Sequence, residues 1–238
     1  IKAYKGKTNT LDITKIRVNN NNVSHTKRLG LIINDKKKYS ITPLGEKYRK
    51  GEIKDTDLFK RQMLRYFSSL EDGNSERILF PYRACIKVLL EVGNINIHEF
   101  AFAIYSMEDS TPESIERAIA DIKYLRENYK KLYLVSEANR KFIMQELNDY
   151  FGTNYNATEI WTQRTTIYNQ FVYFRNHLAL FSEFIIIDSE GKIVLVEKNA
   201  AKARHLLSLD NRLEFENNLQ SLVSKYIQPF LNFVIFTI

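Results

Sequence analysis

A mainly α-helical protein with short β-hairpins (α+β) is the fold class predicted for this 238-residue sequence, on three observations. A polar helix pattern ending at Gly30 is followed by two β-rich runs around Asn34-Asp-Lys-Lys-Lys38, and then by a Thr42-Pro43 helix start. Apolar residues recur at helical spacing through most of the middle of the chain. Between Thr158 and Val196 the order helix, helix, hairpin returns in divergent sequence. That order is the winged helix-turn-helix. The expected organisation is therefore tandem winged helix-turn-helix modules around a helical middle: a basic N-terminal module at 1–72, a helical module at 73–152, and a second winged-helix-like module with C-terminal helices at 153–238.

Taken in order, residues 1–10 read as a basic extended arm. Asp12 can cap a short helix over 13–18, because its side-chain oxygen satisfies amides left free at a helix start. The run Asn19-Asn-Asn-Asn22 breaks it and can cap the next helix, Val23 to Leu29, which carries Asn22, His25 and Arg28 on its outer side. Leu31-Ile-Ile and Tyr39-Ser-Ile make a hairpin. Thr42 then caps a helix with Pro43 at its first position, ending at Gly51. An amphipathic helix is expected over Asp57 to Leu70, with Leu58, Phe59, Met63, Leu64 and Phe67 inward and Lys60, Arg61 and Arg65 outward. Residues 71–77 read as a loop and a module boundary.

Pro81 opens a helix ended by Gly93-Asn94, and Ile97 to Met107 reads as a very apolar one. Thr111-Pro-Glu-Ser starts a helix to about Tyr129, whose Ile115, Ile119, Ile122 and Leu125 form a core stripe. Ser136 caps Glu137 to Tyr150. A helix starts at Thr158-Glu-Ile-Trp161. Thr165-Thr166 cap a longer one, Ile167 to Phe181, with Phe171, Phe174, Leu178 and Phe181 inward and Asn169, Gln170, Tyr173 and Asn176 opposite. Phe184 to Ile187 and Lys192 to Val196 flank Asp188-Ser-Glu-Gly191 as the clearest hairpin. Helices are expected over Ala200 to Leu209 and Asn211 to Lys225, and the apolar tail from Ile227 reads as a strand or a cut edge.

Composition narrows the classes. At 44% hydrophobic and 13% aromatic the chain is globular. No run approaches the roughly 18 apolar residues of a membrane span, so no membrane partner is expected. The single cysteine, Cys85, excludes an internal disulfide framework, fits a reducing cytoplasm, and lies in an apolar helix pattern that predicts a buried thiol. The net charge of +7 is unevenly spread: residues 1–65 carry 17 Lys and Arg against 6 Asp and Glu, the remainder 18 against 22. A basic lobe on a mildly acidic body suggests that one end meets a polyanion.

Neither a P-loop, a dinucleotide fingerprint nor a G-x-S-x-G elbow is present. His25, His98, His177 and His205 lack metal-ligand spacing, and no metal site is expected. Asp188, Glu190 and Lys192 include a Glu-x-Lys of the kind that metal-dependent nucleases use. They form a hairpin turn, however, so the carboxylates would project from its tip instead of standing on two adjacent strands. No catalytic residue is assigned.

Binding chemistry is better represented. Asn and Gln can bond both exposed atoms of adenine in the major groove, and Arg both acceptors of guanine. Asn21, Asn22, Ser24, His25, Lys27 and Arg28 offer that chemistry beside Lys36, Lys37 and Lys38, which suit phosphate. Gln163, Arg164, Thr165, Thr166, Asn169, Gln170, Tyr173 and Arg175 form a second, less basic set. Double-stranded DNA is the expected partner.

The order Arg28-Leu-Gly-Leu-Ile, then Tyr39-Ser-Ile-Thr-Pro-Leu-Gly-Glu-Lys-Tyr, then a helix beginning Phe80-Pro81, resembles the recognition part of type IIS restriction endonucleases. AlwI-type and related nicking enzymes are the nearer resemblance, FokI a more distant one. The resemblance implies winged-helix reading of an asymmetric DNA site by one copy of the chain. It also implies a separate C-terminal nuclease domain or subunit that uses Mg²⁺. No matching nuclease motif stands in this chain; with a start at Ile1 lacking Met and an apolar end, a recognition fragment is expected, needing no cofactor itself. The alternatives are a winged-helix transcription regulator, a protein-interaction winged helix, and a small nuclease built on Asp188, Glu190 and Lys192.

Overall fold

In a computed structural model the described residues are 31–35, 38–66, 68–72, 75–129, 135–163 and 165–208. The helices expected over 13–18, 23–29 and 211–225, and the apolar tail, lie outside them. The described chain is mostly helical, with one three-stranded antiparallel sheet and two separate two-stranded hairpins.

The first hairpin pairs β1 (Ile32–Asp35) with β2 (Lys38–Ile41), Asp35 opposite Lys38. Helix α1 (Pro43–Arg49) starts as its sequence dictates: Thr42 Oγ1 accepts from the Gly45 amide at 2.9 Å, and Pro43 occupies a position needing no N–H. The Thr42 amide donates to the Leu31 carbonyl, 2.9 Å away, which closes the hairpin onto the helix. Gly45 is required for that closure, because a Cβ there would stand 2.2 Å from the Leu31 carbonyl oxygen. Leu31, Leu44 and Leu58 form a small core under the hairpin, with Tyr48 and Ile53 packed against it.

Helix α2 runs Asp55–Arg65, and here the structure corrects the sequence expectation. The helix does not continue to Leu70, and residues 71–77 are not simply a loop. Instead β3 (Ser68–Asp72) pairs with β4 (Ser75–Leu79), Asp72 opposite Ser75. Serine is a poor helix former, and Ser68 and Ser69 stand where the helical pattern would have to continue. Lys60, expected to face outward to water, instead pairs with Glu183 across the fold.

Helix α3 (Pro81–Val92) is the centre of the main core: Ala84, Cys85, Ile86, Val88 and Leu89 are all essentially without solvent contact. Burial pushes the Cys85 thiol pKa far above its usual value, so the expected inert thiol is what the packing produces. Gly93 turns the chain at positive φ into β5 (Asn94–Ile95), a strand too short to show in sequence periodicity. Helix α4 begins as one α turn, Ile97–Glu99, and passes into a fully buried π-helix, Phe100–Ile104. The apolar helix expected to Met107 thus ends earlier and widens; the Tyr105 amide reaches back to the Phe100 carbonyl at 2.7 Å.

Helix α5 (Pro112–Asn128) buries Ile115, Ile122 and Leu125, with Ile119 packed beside them. Its Arg126 is a hub. The Arg126 Nε donates to Glu99 Oε1 at 2.7 Å, Nη1 to the Val92 carbonyl at 2.9 Å, and Nη2 to the Asn94 carbonyl at 2.6 Å. Helix α6 (Glu137–Phe151) ends at Gly152 in the left-handed region. Helix α7 (Ala157–Trp161) opens on an Asn156–Glu159 capping box. Helix α8 (Thr166–Leu178) continues as a 3-10 turn, Ala179–Phe181, into β6 (Ile185–Ile187) and β7 (Ile193–Leu195). The sheet order is β5-β7-β6, so the hairpin is completed by a strand from much earlier in the chain. Helix α9 (Ala200–Ser208) packs Ala203 and Leu207 against the same core, which takes residues from Leu64 to Leu207.

His98 is buried beside the Trp161 ring, centroids 5.7 Å apart, and its Nε2 has no hydrogen-bond partner. Desolvation lowers its pKa to about 4, so it folds neutral. The unfolded chain binds a proton near pH 6.5 that the folded chain refuses, so this stability is present above pH 6.5 and lost on acidification toward about 4. Urea unfolding followed from pH 7 to 4 should show a decline of up to about 3 kcal/mol beyond that of His98→Gln. Gly45→Ala should lower stability by about 1–3 kcal/mol, read as a drop in the urea midpoint.

Candidate nucleic-acid interface

Helix α8 is positioned by its two faces and its two ends. Phe171 and Leu178 are buried in the main core, Ile167 in a second cluster with Phe102, Leu147 and Ile160, and Phe174 packs alongside. Tyr82 stacks on Phe174 with centroids 4.7 Å apart and planes within 9°, and its hydroxyl lies 2.6 Å from His177 Nδ1. At the start, Thr165 Oγ1 accepts from the Tyr168 amide at 3.3 Å and donates to the Glu159 carbonyl at 2.9 Å, tying α7 to α8.

The opposite face is left to solvent. Thr166, Asn169, Gln170, Tyr173 and Asn176 are exposed on it, Tyr173 at 63%. Gln163, in the α7–α8 turn, is exposed as well. The face is uncharged and rich in side-chain amides, which donate and accept together. The Thr165 hydroxyl serves the cap, and Arg164 lies outside the described residues.

Arg175 reaches back to the hairpin instead. Its Nη1 donates to the Gly191 carbonyl at 3.2 Å, its guanidinium lies 5.8 Å from the Phe171 ring centroid, and its Nε is buried without a hydrogen-bond partner. Gly191 allows this contact doubly: its φ is +79°, and a Cβ there would stand 2.3 Å from Arg175 Nη1.

The hairpin turn below α8 consumes its own charges. Asp188 Oδ1 accepts from the Glu190 amide at 2.9 Å and the Lys192 amide at 2.8 Å, an Asx-type lock of the turn. Glu190 pairs with Lys192 at 2.6 Å, and that bond holds the lysine pKa above its usual value. These residues do not fit a Mg²⁺ site: one carboxylate is committed to backbone amides and the other to a lysine. Among the described residues, no three His, Cys, Asp or Glu side chains are grouped to hold a metal ion.

Of the first set, Asn21, Asn22, Ser24, His25, Lys27, Arg28, Lys36 and Lys37 lie outside the described residues, while Lys38 begins β2. The hairpin that carries the lysine run is present where expected. Sequence reasoning missed the Lys60–Glu183 pair, whose partners stand 123 residues apart with no local signal joining them.

Among the described residues no helix is long and apolar enough to cross a membrane. No curated protein matches the chain. A family model described as AlwI restriction endonuclease matches residues 27–232, and the chain belongs to the AlwI restriction endonuclease family.

Proposed function

We propose that the chain binds double-stranded DNA in a sequence-specific way, as the recognition part of a type IIS restriction endonuclease whose cutting residues lie elsewhere. The observation that carries this reading is α8. It sets Asn169, Gln170, Tyr173 and Asn176 in solvent, opposite a stripe fixed in the core, directly before a hairpin. The sheet order β5-β7-β6, with the hairpin following α8 and its second strand central, supports a winged-helix reading of this module. The β1–β2 hairpin with its lysine run would be the wing of the first module.

The two modules would divide the work. Lys36, Lys37 and Lys38 would contact phosphates, contributing affinity that falls with salt and little sequence choice. Base choice would rest on the 21–28 segment, through Arg28 and its neighbours, and on the amides of α8. Asp188, Glu190 and Lys192 carry no step in this reading, because their bonds hold the turn. Mg²⁺ belongs to the nuclease part, and one copy of the chain would read one asymmetric site.

Two measurements test it. Replacing Lys36, Lys37 and Lys38 together with Ala should weaken binding to all duplexes alike and reduce the slope of log affinity against log salt by about 2–3. Asn169→Ala or Gln170→Ala should relax preference at a single base pair by about 1–3 kcal/mol, read by competition among duplexes differing at one position. A uniform loss for the α8 variants would overturn base reading there. A two-fold-symmetric preferred site would favour a dimeric regulator instead.

A further inference from the structure

We infer that the cavity between the π-helix, α5 and the end of α6 is a binding site for a small organic cation, a primary ammonium group on a short apolar stem. None of the residues that line it is among those to which DNA contact is given, so it is independent of the recognition reading.

The cavity is partly enclosed and has a volume of about 230 Å³. Phe102 and Ala103 of the π-helix and Ala118 of α5 form its buried floor, and Phe151 stands at the end of α6 beside them. Space is left because the residues converging here are small: Ala103 and Ala118 bring only methyl groups, and Gly152 turns the chain away in the left-handed region with no side chain at all. The π-helix adds to this, since its wider turn displaces the wall; such turns are frequent at functional sites. An apolar cavity of about 150 Å³ accepts benzene, so the space here suits one ring with a short side group.

Both rims are fixed before any ligand arrives. Asp109 Oδ1 accepts from the Thr111 amide at 3.0 Å, from the Thr111 hydroxyl at 2.7 Å and from the Ser114 hydroxyl. Ser110 between them accepts from the amide of the buried Phe80 at 2.7 Å. On the other side the Thr153 amide and hydroxyl donate to the Asn148 carbonyl at 3.1 Å and to Asn148 Oδ1 at 2.8 Å. Preformed clefts of this kind lose little order on binding.

Asp121 sets the sign of the ligand. Its carboxylate lines the cavity with 17% of the side chain exposed. Among the described residues it accepts no hydrogen bond, and the cation facing it is Arg117, 4.0 Å away on a side chain that is 77% exposed. A pair that loose and that wet contributes little. Burial accordingly raises the Asp121 pKa, and Arg117 only opposes the shift. An ammonium in the cavity would reach this carboxylate at hydrogen-bonding distance and displace Arg117.

The rings point to the same sign. Phe102 and Phe151 lie with centroids 5.0 Å apart, Tyr150 packs on Phe151 at 4.8 Å, and Tyr124 stacks on Tyr150 at 3.8 Å. Ring faces attract cations. A metal ion fits less well, because it needs several oxygen ligands at once and no three carboxylates or imidazoles are grouped for one among the described residues. An ammonium asks for one carboxylate and an apolar bed for its stem, which Asp121 and the rings supply.

The probe is benzylammonium, titrated calorimetrically into wild type, Asp121→Asn, Arg117→Gln and, as a control for charge lost elsewhere, the exposed Asp57→Asn. Benzyl alcohol and benzoate serve as neutral and anionic counterparts, and protection of Cys85 from a thiol reagent reports that each variant is folded. Wild type should take up one benzylammonium per chain with a Kd on the order of 1 mM or tighter. Asp121→Asn should weaken this by about 10-fold or more, as should replacing the probe with benzyl alcohol. Arg117→Gln should tighten it by about 2–5-fold, and Asp57→Asn should leave it unchanged. No saturable binding to wild type, equal binding to a folded Asp121→Asn, or equal or better binding of benzyl alcohol or benzoate would each overturn the inference. If Asp121→Asn exposes Cys85, the three probes on wild type decide.

Discussion

The carboxylate of Glu99 sits in the interior with 5% of its side chain exposed, and Arg126 pairs with it at 2.7 Å. The same guanidinium takes the Val92 and Asn94 carbonyls, so the end of α3, strand β5 and the start of α4 are gathered by one side chain. Glu99 in turn accepts from the Asn96 amide and closes the cap that starts α4. Losing the guanidinium would leave the Glu99 carboxylate buried without its ion partner and remove the donor to the Val92 and Asn94 carbonyls. Because β5 pairs with β7, this knot also sets the floor on which the β6–β7 hairpin and α8 rest.

The distribution of charge follows a related logic. Among the described residues the lysine-rich hairpin rests on a small core, while α8 is embedded in the large one and presents amides instead of ions. Phosphate contact tolerates positional slack, because a screened charge acts over several ångströms. Hydrogen bonding to a base edge does not. On the proposed reading, the more precise task falls to the better-anchored helix. The turn of the β6–β7 hairpin holds its lysine, Lys192, in a pair with Glu190.

Much of this fold was legible in the sequence where local chemistry decides it. Thr42-Pro43 and Thr111-Pro112 begin helices as caps, the stripe from Ile115 to Leu125 is core, and the outer face of α8 is Asn169, Gln170, Tyr173 and Asn176 as its spacing implies. Less was legible where distant partners decide. β5 is two residues long and exists because β7 offers it backbone bonds. The β3–β4 hairpin hid behind a helical apolar pattern that runs on past Arg65. The π-helix at Phe100–Ile104 reads in sequence as ordinary apolar helix. Arg175 looked like a base reader by type, and its bond to Gly191 depends on a turn sixteen residues later. The candidate site is therefore clearest in its exposed amides and least clear in the residues that brace them.

The straddling of two cores by α2 also bears on how chains of this kind can vary in length. One residue added within the helix would turn its far end by about 100° and advance it about 1.5 Å, moving Leu58 and Leu64 out of phase with each other. The eleven positions of α2 therefore set a length that the two cores fix from either end, whatever the identity of its solvent-facing side chains.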